Sequence, residues 1–304
     1  MKQPAAGLAA TLFIVAVSLG FISLFSFPMF SGWVAYLIDC TIPMQIVIVF
    51  TWRAKQPALA ATQPHPTKGL LLLLLNFVVG AVCAVVLWTT IGHSFNPPTP
   101  ILIFYMIDFV LTTFWMTIML GGWPFTTMFK NPVAAGFALL VADALVSYII
   151  FRVFFDFSFM HGAPFYRAGL DPQGMFNAWS ALVFYVTLIA VMFITLAFDR
   201  WPFTKFPAIM RQPVLGVVWT LADVVIALAA FYIGTALFKM DVVVFMVTVP
   251  IPLVFGSIIV LNMIQHSLFA NLKQPLKGVA NFALIAIITS AVAERCVAVG
   301  SSGL

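Results

Sequence analysis

Met1-Lys2-Gln3-Pro4-Ala5-Ala6-Gly7 opens the chain, and a version of it returns four times, each time immediately before a long apolar run. The copies are Gln63-Pro64 to Gly69, Lys130-Asn131-Pro132 to Gly136, Arg211-Gln212-Pro213 to Gly216 and Lys273-Gln274-Pro275 to Gly278. A basic residue, an amide, a proline and a nearby glycine read as a helix start. Proline at the first helical position gives up an N–H that has no intrahelical partner, and its fixed φ suits the first turn. Five such starts, near residues 2, 63, 130, 211 and 273, predict an internally repeated chain.

The composition sets the solvent. The chain is 63% hydrophobic and 8% charged, with a mean hydropathy of +1.12, whereas a soluble domain carries about a quarter charged residues. A membrane-spanning helix needs roughly 20 mostly apolar residues. Nine segments qualify: 7–27, 31–51, 69–91, 101–121, 133–155, 175–198, 214–238, 243–265 and 277–297. Continuous runs such as Leu70 to Leu75 exclude a β-barrel, whose strands alternate. The expected fold is therefore an all-α polytopic membrane protein, a single transmembrane domain over 1–304. It is read as repeated two-helix hairpins in parallel orientation, with a ninth helix at the end.

Charge placement orients the chain. With the N-terminus inside, Lys2, Arg53, Lys55, Lys68, Lys130, Arg200, Lys205, Arg211, Lys273 and Lys277 fall at inner ends, against Arg152, Arg167, Lys239 and Arg295 outside. That bias predicts N-in, C-out in the plasma (inner) membrane, and it assigns the +5 net charge to lipid head groups rather than nucleic acid. Lys2 before an apolar run resembles a secretory signal, but the run is too long and shares its start with four internal helices, so a retained span is expected. Cys40, Cys83 and Cys296 show no paired spacing and read as small buried hydrophobes.

Polar residues inside apolar runs carry the functional reading. Asp143 and Asp223 each stand seven residues past a start glycine, and Asn76 stands seven past Gly69. Ile14 and Ile285 occupy that slot in the first and last copies. At about 1.5 Å per residue, Asp143 and Asp223 should lie about 15 Å deep. Asp39 and Asp108, each within a Tyr-x-Ile-Asp tetrad begun by Tyr36 or Tyr105, fall in the same band from the other side. No Lys, Arg or His shares that band. Desolvation then favours the protonated carboxyl unless water or a bound cation intervenes. Same-helix spacing suggests Tyr36 for Asp39, Tyr105 and Thr112 for Asp108, Ser147 for Asp143, and Thr220 for Asp223. By contrast, Asp199, Asp241 and Glu294 sit at helix ends beside Arg200, Lys239 and Arg295, where structural pairing is expected.

Intramembrane acids default to a functional site. The expectation is a transporter or channel for a small solute, with proton or cation coupling through Asp39, Asp108, Asp143 and Asp223, flanked by Tyr36, Tyr105 and Asn76. The rival is a non-transporting subunit or scaffold binding lipid, quinone or a protein partner, its acids serving as protonated crosslinks. Membrane lipids and a small solute or cation are the expected partners; a homo-oligomer or partner subunit is compatible with either reading. A lipid enzyme ranks third for want of an interfacial His or carboxylate cluster. No metal is expected, because His65, His93, His161 and His266 lie in loops or at helix ends without ligand spacing. No Walker loop, dinucleotide fingerprint or nucleophile elbow occurs, and no cofactor is indicated. Pro43, and Pro250 with Pro252, should interrupt helices 2 and 8. The connection 152–174, dense in Phe, Gly and Pro, should lie on the outer interface or fold over the bundle mouth.

Overall fold

A computed structural model describes residues 3–52, 56–265 and 267–301, from 291 onward as backbone alone. Lys2, Arg53, Lys55 and His266 lie outside the described residues, as do the side chains of Glu294, Arg295 and Cys296. The chain is almost wholly helical. Its long elements are α1 (Ala5–Ile22), α2 (Phe27–Thr51), α3 (Thr67–Thr90), α4 (Pro100–Met119), α5 (Pro132–Phe154), α6 (Ala178–Ala197), α7 (Val214–Leu237), α8 (Val242–Met263) and α9 (Leu276–Ser301). The first eight are long and apolar enough to cross a bilayer, the signature of a multi-pass integral membrane protein. The apolar part of α9, Leu276–Ser290, is shorter.

Helix starts differ from expectation at four of the five copies, and at Gln63-Pro64 the helix begins only at Thr67, directly after Pro66. Pro132 is the first residue of its helix, with the Asn131 side chain accepting from Val133 N–H at 3.1 Å. Pro4, Pro213 and Pro275 instead stand one residue before their helices. The preceding glutamine explains the shift. Gln3, Gln212 and Gln274 each accept, through Oε1, the N–H of the glycine four residues on, at 3.2, 3.0 and 3.0 Å. That N–H is one of the first-turn donors with no intrahelical partner, so the amide caps the helix from outside it.

The same glycines admit a neighbouring helix end. A Cβ on Gly7 would lie 2.2 Å from the Met263 carbonyl, one on Gly136 2.3 Å from Trp52 Nε1, and one on Gly278 2.1 Å from the Phe198 ring. Three of the incoming or adjoining helices end in a widened, π-type turn: Trp52 N–H reaches Val47, Leu120 reaches Trp115 and Ile264 reaches Ile259, each five residues back.

Contacts group into two units. One comprises Phe25–Leu182 and the other Met1–Leu24 with Val183–Leu304. Within the first, α2 breaks between Asp39 and Ile42, just before buried Pro43. Within the second, α8 breaks at Val249, which has φ −118° and ψ −76°, just before Pro250. Both interruptions fall where proline removes a backbone donor. Thr289 of α9 donates to the Pro252 carbonyl at 3.3 Å, tying α9 to α8 just past the break.

The segment after α5 closes one end of the first unit. Strands β1 (Phe155–Asp156) and β2 (Phe176–Asn177) pair in parallel, with a tight turn at Ser158–Met160. Phe155 and Phe157 are buried. Phe157 meets Phe104 at 5.3 Å between ring centroids and Phe151 at 5.5 Å. Aromatic rings seat this segment over the ends of α4 and α5, rather than leaving it loose.

Candidate functional site

Helices α4 and α5 pack along their length, and the surface between them carries a polar seam. Asp108, Thr112, Thr113 and Thr117 come from α4, and Asp143 and Ser147 from α5; all are buried. The Ser147 hydroxyl donates to Asp108 Oδ2 at 2.5 Å. Tyr105 donates to the Ala144 carbonyl at 2.9 Å. The helices are antiparallel, so the Asp143 level of α5 meets α4 one turn beyond Asp108.

Asp143 has no exposed surface, and neither of its carboxyl oxygens accepts a protein hydrogen bond of ordinary geometry. Thr113 approaches it from α4, but the Thr113 hydroxyl donates to the Phe109 carbonyl at 2.8 Å. Asp108 Oδ1 is likewise buried without a donor. Three carboxyl oxygens on two adjoining helices are thus removed from solvent and left open to a proton or small cation. An unsatisfied buried acceptor costs about 1–3 kcal/mol. Thr117 Oγ1 and Trp52 Nε1 extend the row of buried, unpartnered polar atoms in this unit.

The other expected residues of this unit lie on α2 and α3. Tyr36 is fully buried but donates to the Ala84 carbonyl of α3 at 2.7 Å rather than to Asp39. Cys40 Sγ lies 3.4 Å from Met106 Sδ. Asp39 is half-buried, the last residue before the break in α2. Asn76 is buried on α3, its Oδ1 without a donor.

Asp223 belongs to the second unit and has its own surroundings. Its Oδ1 accepts from Thr195 of α6 at 3.2 Å, and buried Trp219 stands one turn back on the same helix. Nearby, Asn281 is fully buried and donates to the Ala197 carbonyl at 3.2 Å. The same-helix pairings expected from spacing are corrected at most positions. Ser147 serves Asp108 across helices, and Thr220 bonds back to the Gly216 carbonyl at 2.7 Å. A short hydroxyl on a helix is within reach of its own i−4 carbonyl, and packing against a facing helix decides the remainder.

Helix-end acids behave as structural groups with unexpected partners. Asp199 Oδ2 takes both Lys277 and Gln274, each at 2.8 Å. Asp241 caps α8 through the N–H groups of Val243 and Val244. At the β1–β2 end of the first unit, Asp171 is 4% exposed and lies 3.5 Å from His93 Nε2, while its second oxygen accepts the Arg167 N–H at 2.5 Å. This group, with Arg152 beside it, has no local sequence pattern that announces it.

Groups of three or more His, Cys, Asp or Glu suited to a metal ion do not occur among the described residues. The polar atoms of the seam are carboxyl and hydroxyl oxygens. Comparison with known protein families, with curated proteins and with solved structures finds no match for this chain.

Proposed function

We propose that this protein moves a small solute across the membrane, as carrier or channel, coupled to protons or another cation through the α4–α5 seam. One observation carries the reading: Asp143 is wholly buried in an apolar helix, with both carboxyl oxygens lacking a protein donor. A carboxyl so placed gains an ordinary free energy only when a proton or cation joins it. Asp108 stands one turn away across the seam, and Asp39 lies at the break in α2. Interrupted helices are a recurrent feature of ion and substrate sites in transporters.

The same reading takes nine spans, N-in and C-out, in a plasma or inner membrane, built from parallel repeats. The glutamine caps of α1, α7 and α9, alike in register and geometry, support the repeat. The bias of Lys and Arg toward one set of loops supports the orientation. In this scheme Asp223 is the counterpart of Asp143.

A second reading has its own support. Ser147 to Asp108 and Thr195 to Asp223 are interhelical bonds of the kind a scaffold would use. Flux measurements separate the two. Purified protein in liposomes should show solute- or cation-dependent proton movement that Asp143→Asn abolishes while the fold survives. If flux is absent at every pH between 5 and 8 for the wild type, or unchanged in Asp143→Asn, the transport reading fails and the crosslink reading stands.

A further inference from the structure

Two cavities of the first unit join into one amphipathic trough. The larger, about 500 Å³, lies between α3, α4 and α5 and is walled by Val82, Val86, Phe109, Val141 and Leu145, with Tyr105 at its floor. The smaller, about 150 Å³, lies at the β1–β2 end and is walled by His93, Arg152, Asp171 and their neighbours. Thr90, Ile91 and Tyr148 line both, so one space continues into the other. Val82, Val86, Val141 and Leu145 are each at least half exposed, which opens the apolar part sideways. In a bilayer that opening faces acyl chains.

The charged end has a definite sign. Asp171 commits one oxygen to His93 and the other to the Arg167 N–H. Arg152 donates one N–H to the Leu170 carbonyl, which leaves most of its five donors for another acceptor. The free charge at this end is therefore positive, and a guanidinium suits a phosphate. We infer that the trough binds one anionic glycerophospholipid, an acyl chain between α3 and α5 and the phosphate head group against Arg152, with the Tyr148 hydroxyl at the junction. The apolar volume is within the roughly 300–1,000 Å³ of ordinary small-molecule sites. The second acyl chain remains in bulk lipid, as the lateral opening requires.

None of the seam's carboxyl groups lines this site, and it can be tested without a transport assay. Detergent-purified protein is incubated with equal amounts of palmitoyl-oleoyl phosphatidylglycerol and palmitoyl-oleoyl phosphatidylcholine, and retained lipid is counted by native mass spectrometry. Both lipids offer a phosphate to Arg152, but only phosphatidylcholine sets a choline cation beside the guanidinium, so one phosphatidylglycerol should be held with about tenfold preference, roughly 1.4 kcal/mol. Arg152→Gln should bring the preference within about twofold, and Arg152→Lys should keep part of it. Val141→Trp should reduce retention of both lipids by filling the trough. Photocrosslinking with a diazirine-tailed phosphatidylglycerol in intact vesicles should label α5 in the wild type, even if a variant folds poorly. Equal retention of the two lipids would reduce the trough to ordinary annular lipid contact and overturn the proposal. So would a preference that survives Arg152→Gln, or retention of added palmitate without retention of phosphatidylglycerol.

Discussion

Ser147 lies one turn beyond Asp143 on α5, yet its hydroxyl donates at 2.5 Å to Asp108 on α4. The donor that spacing assigns to one carboxyl serves the other. This leaves Asp108 half-satisfied and Asp143 without a donor, an asymmetry that sets different expectations for the two acids.

Ser147→Ala should destabilise the first unit, because it strips Asp108 Oδ2 of the Ser147 hydroxyl. The expected loss is about 1–3 kcal/mol, the worth of leaving a buried acceptor unmade. Tyr105→Phe, which removes a bond to a backbone carbonyl, should cost about 0.5–1.5 kcal/mol. Reversible unfolding in mixed micelles measures both, and a Ser147→Ala protein as stable as wild type would contradict the assignment.

Asp143→Leu should behave oppositely. Removing a carboxyl that has no protein donor, in favour of an apolar side chain of similar size, should leave stability unchanged or raise it by about 1–3 kcal/mol. Flux should nevertheless be lost. Loss of stability together with flux would instead mark Asp143 as a packing element.

Two glycines at equivalent places in the repeated start should respond in opposite ways to alanine. At Gly136 a new Cβ would meet Trp52 Nε1 at 2.3 Å and Val47 Cγ1 at 2.7 Å, while at Gly69 nothing lies within 4 Å. Gly136→Ala should lose about 1–3 kcal/mol through overpacking. Gly69→Ala should gain up to about 1 kcal/mol from helix propensity. Thermal unfolding of the two single variants checks the contrast.

The glutamine cap makes its own prediction. Gln212→Ala removes the acceptor for Gly216 N–H and should cost about 0.5–2 kcal/mol, as for other N-terminal caps. Faster hydrogen exchange should be confined to the first turn of α7. Exchange unchanged at Gly216 would show that the amide contributes nothing.

One group outside the spans titrates in a defined direction. The hydroxyl and N–H of Ser158 bond to the Asp156 carboxyl and hold it below its ordinary 3.8. Its stabilising effect is therefore complete above pH 3.8 and is lost as pH falls through the lower, folded value. Protection of the Ser158 amide, corrected for its intrinsic exchange rate, should fall only below that point, and Asp156→Asn should remove this pH dependence. Loss of protection beginning above pH 4 as pH falls would contradict it.

The helices were legible because the bilayer imposes a one-dimensional rule: roughly 20 apolar residues per crossing. Eight long apolar helices overlap eight of the nine expected segments, and both proline interruptions fall where Pro43 and Pro250 place them. The buried state of Asp108, Asp143, Asp223 and Asn76 was legible for the same reason. Their partners were not. Which way Ser147 turns depends on how α5 is rotated against α4, and the spacing of one helix does not contain that angle. The glutamine caps were hidden by a proline that reads equally well at the first helical position or one residue before it. His93 and Asp171 meet only because the aromatic segment after α5 folds back, and no periodicity encodes that return.

The contact between α1 and the end of α8 bears on how the protein is made. Gln3 Nε2 donates to the Met263 carbonyl at 3.1 Å across 260 residues of chain, and Gly7 lies against the same carbonyl. At roughly 5–20 residues per second of synthesis, the partner of α1 leaves the ribosome about 13–52 s after α1 itself. The intervening residues Phe25–Leu182 form the other unit complete. Helix α1 therefore meets the end of α8 only after every residue of the other unit has been made.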